Sequence, residues 1–287
     1  MSKVLVASSI GPGKEYAMPV ICDTLSSTFM SYDRVVVFDT LKPSECEPRL
    51  PQSTHTIRLS NASYKGEKLE IIQRVAIVRE RTRKYFLEGD WSHLFFLDVD
   101  VVPPSDAVDR LLACEMPLAT GIYSLREFSR VWLPAMTIGS YGQTVYHAAY
   151  LMRNVRGFGL GCMLIERSAL EKTPFRSKDN LKDYGEDFAF CVDSGGNVVV
   201  EKDVSCWHVD TTLLCGRLIV EEPKLGAIWE GSTQWVINKF GRWVRGEPRY
   251  GFSSEIIAQL GPEFNKGLFT PLHIETADYA DIIKEKK

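Results

Sequence analysis

The chain has 287 residues, 45% hydrophobic and 25% charged, the balance of a globular protein able to bury a sizeable core. Its formal net charge of −3 supplies no basic field for nucleic acid or an anionic membrane, so no nucleic-acid partner is expected. The apolar run within Met1–Ile10 is too short for a signal peptide, and no window approaches the roughly 18 uncharged apolar residues of a membrane helix. A cytoplasmic protein without a transmembrane segment is expected. Seven cysteines (22, 46, 114, 162, 191, 206 and 215) form no CxxC pair, which points to reduced, mostly buried thiols and makes the Asn61-Ala62-Ser63 sequon accidental.

The first predicted element is the strand Val4–Ala7, followed by a Gly11-Pro12-Gly13 loop and a helix around Tyr16 to Leu25. Val35–Phe38 is a second strand ending at Asp39, and its β-branched run suits a sheet buried on both faces. A Pro-rich loop (Pro43, Pro48, Pro51) and an edge strand near Thr56–Leu59 come next. A long helix begins after Gly66, with Ile71, Val75, Val78 and Phe86 as its apolar stripe, and ends at Gly89-Asp90. His93–Leu97 is a strand stopped by Asp98 and by Pro103-Pro104. This alternation predicts an α/β fold with an open, mostly parallel sheet and helices on its faces.

From Pro117 to Glu166 the pattern changes to short strand-like pieces, and beyond Leu213 it is irregular. The domain expectation is a catalytic domain over 1–212 and an extension over 213–287. Trp229, Trp235 and Trp243 make that extension a candidate for packing on the main domain, for acceptor binding or for forming a homodimer. Lys284–Lys287 reads as a solvated tail.

Three motifs carry chemistry. Asp98 and Asp100 follow an apolar strand, where residues i and i+2 share a side, so both carboxylates are expected to aim together from the carboxyl edge of the sheet. Such a pair calls for a counter-charge, which a divalent cation bound to a diphosphate supplies. The competing explanation is a helix cap or turn, for which Ser105 or Asp106 stands better. Glu186-Asp187, within Tyr184–Cys191, precedes an apolar run ending at Gly195-Gly196, so these acids either cap a helix or do chemistry at its start. His208 follows the strand-like Val198–Val200 within Cys206–Asp210.

In this order the motifs resemble the GT-A glycosyltransferases, in particular the large inverting family with a DxD motif followed by an ED motif. The resemblance runs from about Lys3 to Asp210. It is carried by Phe96-Leu97-Asp98-Val99-Asp100, by Gly159-Leu160-Gly161-Cys162-Met163-Leu164-Ile165, by Gly185-Glu186-Asp187-Phe188-Ala189-Phe190 and by His208. It implies a GT-A fold with a small antiparallel part and transfer of a sugar from a UDP- or GDP-sugar to a glycan, protein or small-molecule hydroxyl. It further implies Mn²⁺ or Mg²⁺ held by Asp98, Asp100 and His208, donor contacts from Ser8, Ser9, Asp39, Arg79 and Asp98, and Asp187 as the base of an inverting reaction. Glu186 would orient the acceptor or cap the helix. The Arg-Asn pair often found before DxD in that family is here Arg79-Glu80, so Arg79 stands equally as a surface arginine.

Gly157, Gly159 and Gly161 would let the backbone approach the sugar or would fit a bulged strand. Trp207 stands as a sugar-stacking ring or a core residue, and Tyr123–Trp132, with Arg126 and Arg130, as a lid or sugar pocket. The runner-up is a haloacid-dehalogenase-like phosphatase using Asp98 and Asp100, and the non-enzymatic alternative is a nucleotide-sugar-binding module. A P-loop is excluded because Gly11-Pro12-Gly13-Lys14 lacks the preceding Gly and is followed by Glu15. A Rossmann fingerprint is excluded because no GxGxxG follows the first strand.

Overall fold

The structure is a computed structural model. It describes residues 3–39, 50–60, 70–126, 132–134, 137–138, 144–145, 154–176, 185–220, 234–237, 243–246 and 272–285. Cys46, the Asn61–Ser63 sequon, Gly66, Arg130, Tyr184 and Trp229 lie outside the described residues. In chain order the elements begin with β1 (Val4–Ile10), α1 (Met18–Ser27), β2 (Asp33–Asp39), β3 (Thr54–Leu59), α2 (Ile71–Glu88), β4 (His93–Leu97), β5 (Val101–Val102), α3 (Ala107–Leu112) and β6 (Leu118–Ile122). The short strands β7 (Ser124–Arg126), β8 (Trp132–Pro134), β9 (Thr137–Ile138), β10 (Thr144–Val145), β11 (Asn154–Val155) and β12 (Gly157–Phe158) follow. Then come β13 (Cys162–Glu166), α4 (Arg167–Lys172), α5 (Gly185–Asp193), β14 (Val198–Ser205), β15 (Trp207–Val209) and β16 (Leu214–Val220). The chain ends with β17 (Gln234–Ile237), β18 (Trp243–Gly246), β19 (Leu272–Asp278) and α6 (Tyr279–Glu285).

The expected fold class is the one observed, a mixed α/β architecture built on a mostly parallel sheet flanked by helices. The sheet has eight strands in the order β11-β14-β6-β13-β4-β1-β2-β3. β13 runs antiparallel to both its neighbours, β4 and β6, and β11 antiparallel to β14, while the remaining pairs are parallel. The apolar runs of β1, β2 and β4 are buried because both faces of these central strands are covered. β3, at the edge, alternates instead at its carboxyl end, with exposed Arg58 between buried Ile57 and Leu59. A second sheet has the order β19-β16-β15-β5, with β15 antiparallel to β5 and to β16.

α2 packs on β1 and β2 and against α4 and α5. Its stripe begins a turn later than the sequence suggests. Ile71 is 81% exposed, and burial starts at Ala76 and continues through Val78, Arg79, Thr82 and Phe86. Gly89 caps the helix, and a Cβ there would collide with the Trp91 ring.

The chain divides into two compact units, Met1–Ile219 with His273–Lys287, and Val220–Leu272. Within the second, β17 and β18 form an antiparallel hairpin that carries Trp235 and Trp243. Within the first, α6 buries one face just before the expected tail: Tyr279 and Ile282 join Val20, Val102, Val209 and Cys215 in a core cluster, while Lys284 is exposed. Of the six described cysteines, Cys114 is half-buried, the other five are buried, and no disulfide joins them. Among the described residues no helix is long and apolar enough to cross a membrane.

Candidate active site

The site lies where β1, β2 and β4 end. Ser8 and Ser9, placed by the sequence in the loop after the first strand, are inside β1, which continues to Ile10 because β2 runs alongside through the pair Ile10–Phe38. Ser8 is buried, and its hydroxyl finds no hydrogen-bond partner among the described residues. The loop proper begins at Gly11, beside Asp39, and closes with Lys14 N–H donating to the Gly11 carbonyl at 3.1 Å. Asp39, at the end of β2, is buried and accepts a 2.9 Å hydrogen bond from Arg74 on α2.

β4 ends at Leu97, and the chain then turns, Val101 N–H donating to the Asp98 carbonyl at 3.0 Å. Asp98 and Asp100 are therefore in a turn, not on an extended strand, and their carboxylates do not share a side as the i, i+2 expectation held. The Asp98 side chain is 44% exposed and the Asp100 side chain 2%. After the turn β5 pairs with β15, with His208 opposite Val101 and Val209 N–H donating to the Asp100 carbonyl at 2.8 Å. This register delivers His208 Nε2 to 3.3 Å from Asp100 Oδ2. Successive residues of a strand face opposite ways: Trp207 and Val209 turn to the core cluster, with the Arg217 guanidinium 4.5 Å over the Trp207 ring, while His208 turns to Asp100. Trp207 is thus a packing residue.

The same Asp100 oxygen accepts hydrogen bonds from the Lys14 ammonium and, at 2.7 Å, from the Tyr16 hydroxyl. Burial opposes ionisation of Asp100, but the neighbouring His208 and Lys14 outweigh it and hold the carboxyl well below its ordinary range. Burial alone would depress Lys14, but Asp100 reverses the sign and raises it. Lys14 and Tyr16 are the functional candidates the sequence did not single out. The available signal was a lysine following a Gly-Pro-Gly loop at the carboxyl edge of the first strand.

Asp98 belongs to a second group. Arg79, expected at the surface or on the donor, is buried on α2, where it donates to Glu186 Oε1 at 2.5 Å and lies 3.7 Å from Asp98 Oδ1. Glu186 is likewise buried, held in this ion pair. Beside it, Asp187 Oδ1 accepts the Phe188 N–H at 2.8 Å. Burial, then the neighbouring Glu186 carboxylate, push the Asp187 carboxyl up to about 7, against the pull of Arg79.

Tyr123, expected in a lid or sugar pocket, is buried between the two groups. Its hydroxyl accepts the Gly161 N–H at 3.3 Å, and its ring meets His208 edge-on at 6.3 Å between centroids. Gly159 and Gly161 are tightly packed against the Tyr123 side chain. A Cβ on Gly161 would lie 3.0 Å from Asp98 Oδ2 and from the Tyr123 ring, and one on Gly159 would collide with the Tyr123 hydroxyl. The side chain of Arg126 lies outside the described part of the chain.

The structure thus joins Asp100 with His208, and Asp98 with Arg79, Glu186 and Asp187. It does not bring Asp98, Asp100 and His208 together as a cation shell, and no group of three His, Cys, Asp or Glu among the described residues is arranged to hold a metal. The donor set argues the same way, because the Asp100 oxygen that would ligate a cation already carries an ammonium, a hydroxyl and an imidazole.

No family model and no curated protein matches the chain. Among solved structures, A197 from STIV is similar at a TM-score of 0.45 and 19% identity, over 81% of this chain and 100% of that one. S. aureus TarS 1-349 is similar at 0.44 and 12%, over 70% of this chain and 58% of that one. S. aureus TarS is similar at 0.44 and 14%, over 70% and 35%. All three TM-scores lie below 0.5, so the functional reading rests on the geometry of the site.

Proposed function

We propose that the chain is a glycosyltransferase that moves a sugar from a nucleoside-diphosphate donor to an acceptor hydroxyl, with Asp187 as general base. One observation carries this reading: Asp187 stands at the start of α5 beside the Arg79–Glu186 ion pair, whose guanidinium also reaches Asp98, and burial with the Glu186 carboxylate pushes its carboxyl up to about 7. Proton transfer is most effective when the base titrates near the working pH. In the reaction the acceptor oxygen bonds the anomeric carbon as the bond from that carbon to the diphosphate oxygen breaks. The bonding pair leaves with the diphosphate, and the acceptor proton passes to Asp187. Direct displacement of this kind inverts the anomeric centre.

Asp39, at the end of β2, and Ser8, inside β1, are the residues proposed to meet the nucleoside, and Asp98 the donor. Tyr123 and the Gly159–Gly161 backbone wall the space between Asp98 and Asp187. A phosphatase would need Asp98 and Asp100 to face one phosphorus, whereas Asp100 is buried beneath Lys14, Tyr16 and His208. The test is thermal-shift titration with UDP, GDP, CMP and dTDP. A ligand that binds only the native state stabilises it by about 2.7 kcal/mol at 100 times its Kd, so one nucleotide is expected to raise Tm by several degrees. No shift with any of them, together with hydrolysis of an aryl phosphate, would overturn the reading.

A further inference from the structure

We propose that Lys14 is the cation of this site, neutralising the donor's diphosphate in the place where a divalent metal would be expected. This deepens the sugar-transfer reading and rests on it. Three observations lead to it. The Lys14 ammonium sits directly on Asp100 Oδ2, the oxygen His208 Nε2 also reaches at 3.3 Å, so a side chain already holds the position between the two expected ligands. Tyr16, two residues on, donates to the same oxygen at 2.7 Å and fixes the carboxylate in that orientation. The third expected ligand, Asp98, is turned to Arg79.

The loop supports the same assignment. Lys14 closes the turn from Gly11 at the carboxyl edge of β1, and its side chain is 46% exposed although its partner is 2% exposed. The Lys14 side chain therefore joins a buried carboxylate to solvent. A lysine has three N–H donors, and the contacts with Asp100 and Tyr16 leave one for a phosphate oxygen. Ammonium clamps of this kind stabilise charge developing on a leaving phosphoryl group. A divalent cation on Asp100 would have to displace Lys14 and would then face its charge a few ångströms away, a repulsion costly in a partly desolvated site. Asp100 is in this account a positioning residue for Lys14.

The experiment measures nucleotide affinity, by calorimetry with UDP, GDP, CMP and dTDP, in EDTA and in Mn²⁺, for the wild type, Lys14→Met and Lys14→Arg. The wild type is expected to bind one nucleotide with the same Kd, within about twofold, in both conditions. Lys14→Met should lose tenfold or more of that affinity in EDTA, and Lys14→Arg should keep most of it. A Kd in the wild type that improves tenfold or more with Mn²⁺ would overturn the proposal while leaving the sugar-transfer reading intact. Unchanged affinity of Lys14→Met in EDTA would do the same. Binding of none of the four in any condition would overturn both.

Discussion

Asp187 and Asp100 are carboxyls driven in opposite directions by what surrounds them. Asp187 is half-buried beside another carboxylate, so its charged form is disfavoured and its value rises to about 7. Replacing it with Asn should lower turnover by about 10²–10⁴-fold with little change in nucleotide affinity. Wild-type turnover should climb as pH rises through about 7, a slope that pH-rate profiles of the two proteins would resolve. The linkage runs the other way for stability. Below about pH 4 both folded and unfolded Asp187 are protonated, between about 4 and 7 only the unfolded chain ionises, and above 7 both do. Asp187→Asn should therefore leave stability unchanged at about pH 3.5 and raise it at about pH 8, as measured by denaturant melts. Asp100, held low, stabilises the fold above about pH 4 and loses that contribution as pH falls towards its folded value. Removing its charge with Asp100→Asn should cost about 1.5–3 kcal/mol at pH 7, the range for hydrogen bonds to charged groups. At this scale the sequence singled out Asp98, Asp100, His208, Glu186 and Asp187, but it could not say which acid meets which base. The Arg79–Glu186 pair spans 107 positions, and no local pattern encodes it.

Elements explain why those residues meet. The β5–β15 register puts His208 against Val101 and hence against Asp100, and the antiparallel β13 brings Gly161 to Asp98, whose N–H donates to the Gly161 carbonyl at 3.0 Å. The β-branched and aromatic runs of β1, β2 and β4 were legible because a buried parallel strand is written as continuous apolar sequence. The turn at Asp98 was not, since a run such as Leu97–Val102 alternates like a strand while its backbone has already left the sheet. The early end of the α2 stripe was missed for a related reason, because Ile71 keeps helical spacing although it reaches past the elements that cover Val78 and Phe86. Gly161→Ala tests the element-level packing. Its Cβ would press on Asp98 and Tyr123 at 3.0 Å, so a stability loss of about 1–3 kcal/mol and weaker nucleotide binding are expected, read by denaturant melts and calorimetry.

Across the whole molecule, the two ends of the first unit close on each other. The Tyr279 hydroxyl donates to Asp23 at 3.0 Å across 256 positions, and Ile282 sits with Val20 in the cluster that backs β5 and β15. That cluster lies behind the strand carrying His208, so the chain's end supports the site from the side opposite Asp100. The spacing Tyr279, Ile282, Ile283 is helical, yet the charged Lys284–Lys287 obscured it, and nothing in the sequence indicates a docking partner so distant. Ile282→Ala should destabilise the protein by about 2–5 kcal/mol, visible as a lower Tm.

The sugar-transfer account is tested most directly by incubating the protein with a panel of nucleotide sugars across pH 5.5–8.5 and measuring release of the nucleoside diphosphate, alongside Asp187→Asn. The account predicts release from one donor, rising through about pH 7 and falling by 10²-fold or more in the variant, which still binds the nucleotide. Release that Asp187→Asn leaves untouched, or an activity confined to aryl phosphates and lost with Asp98, would contradict it.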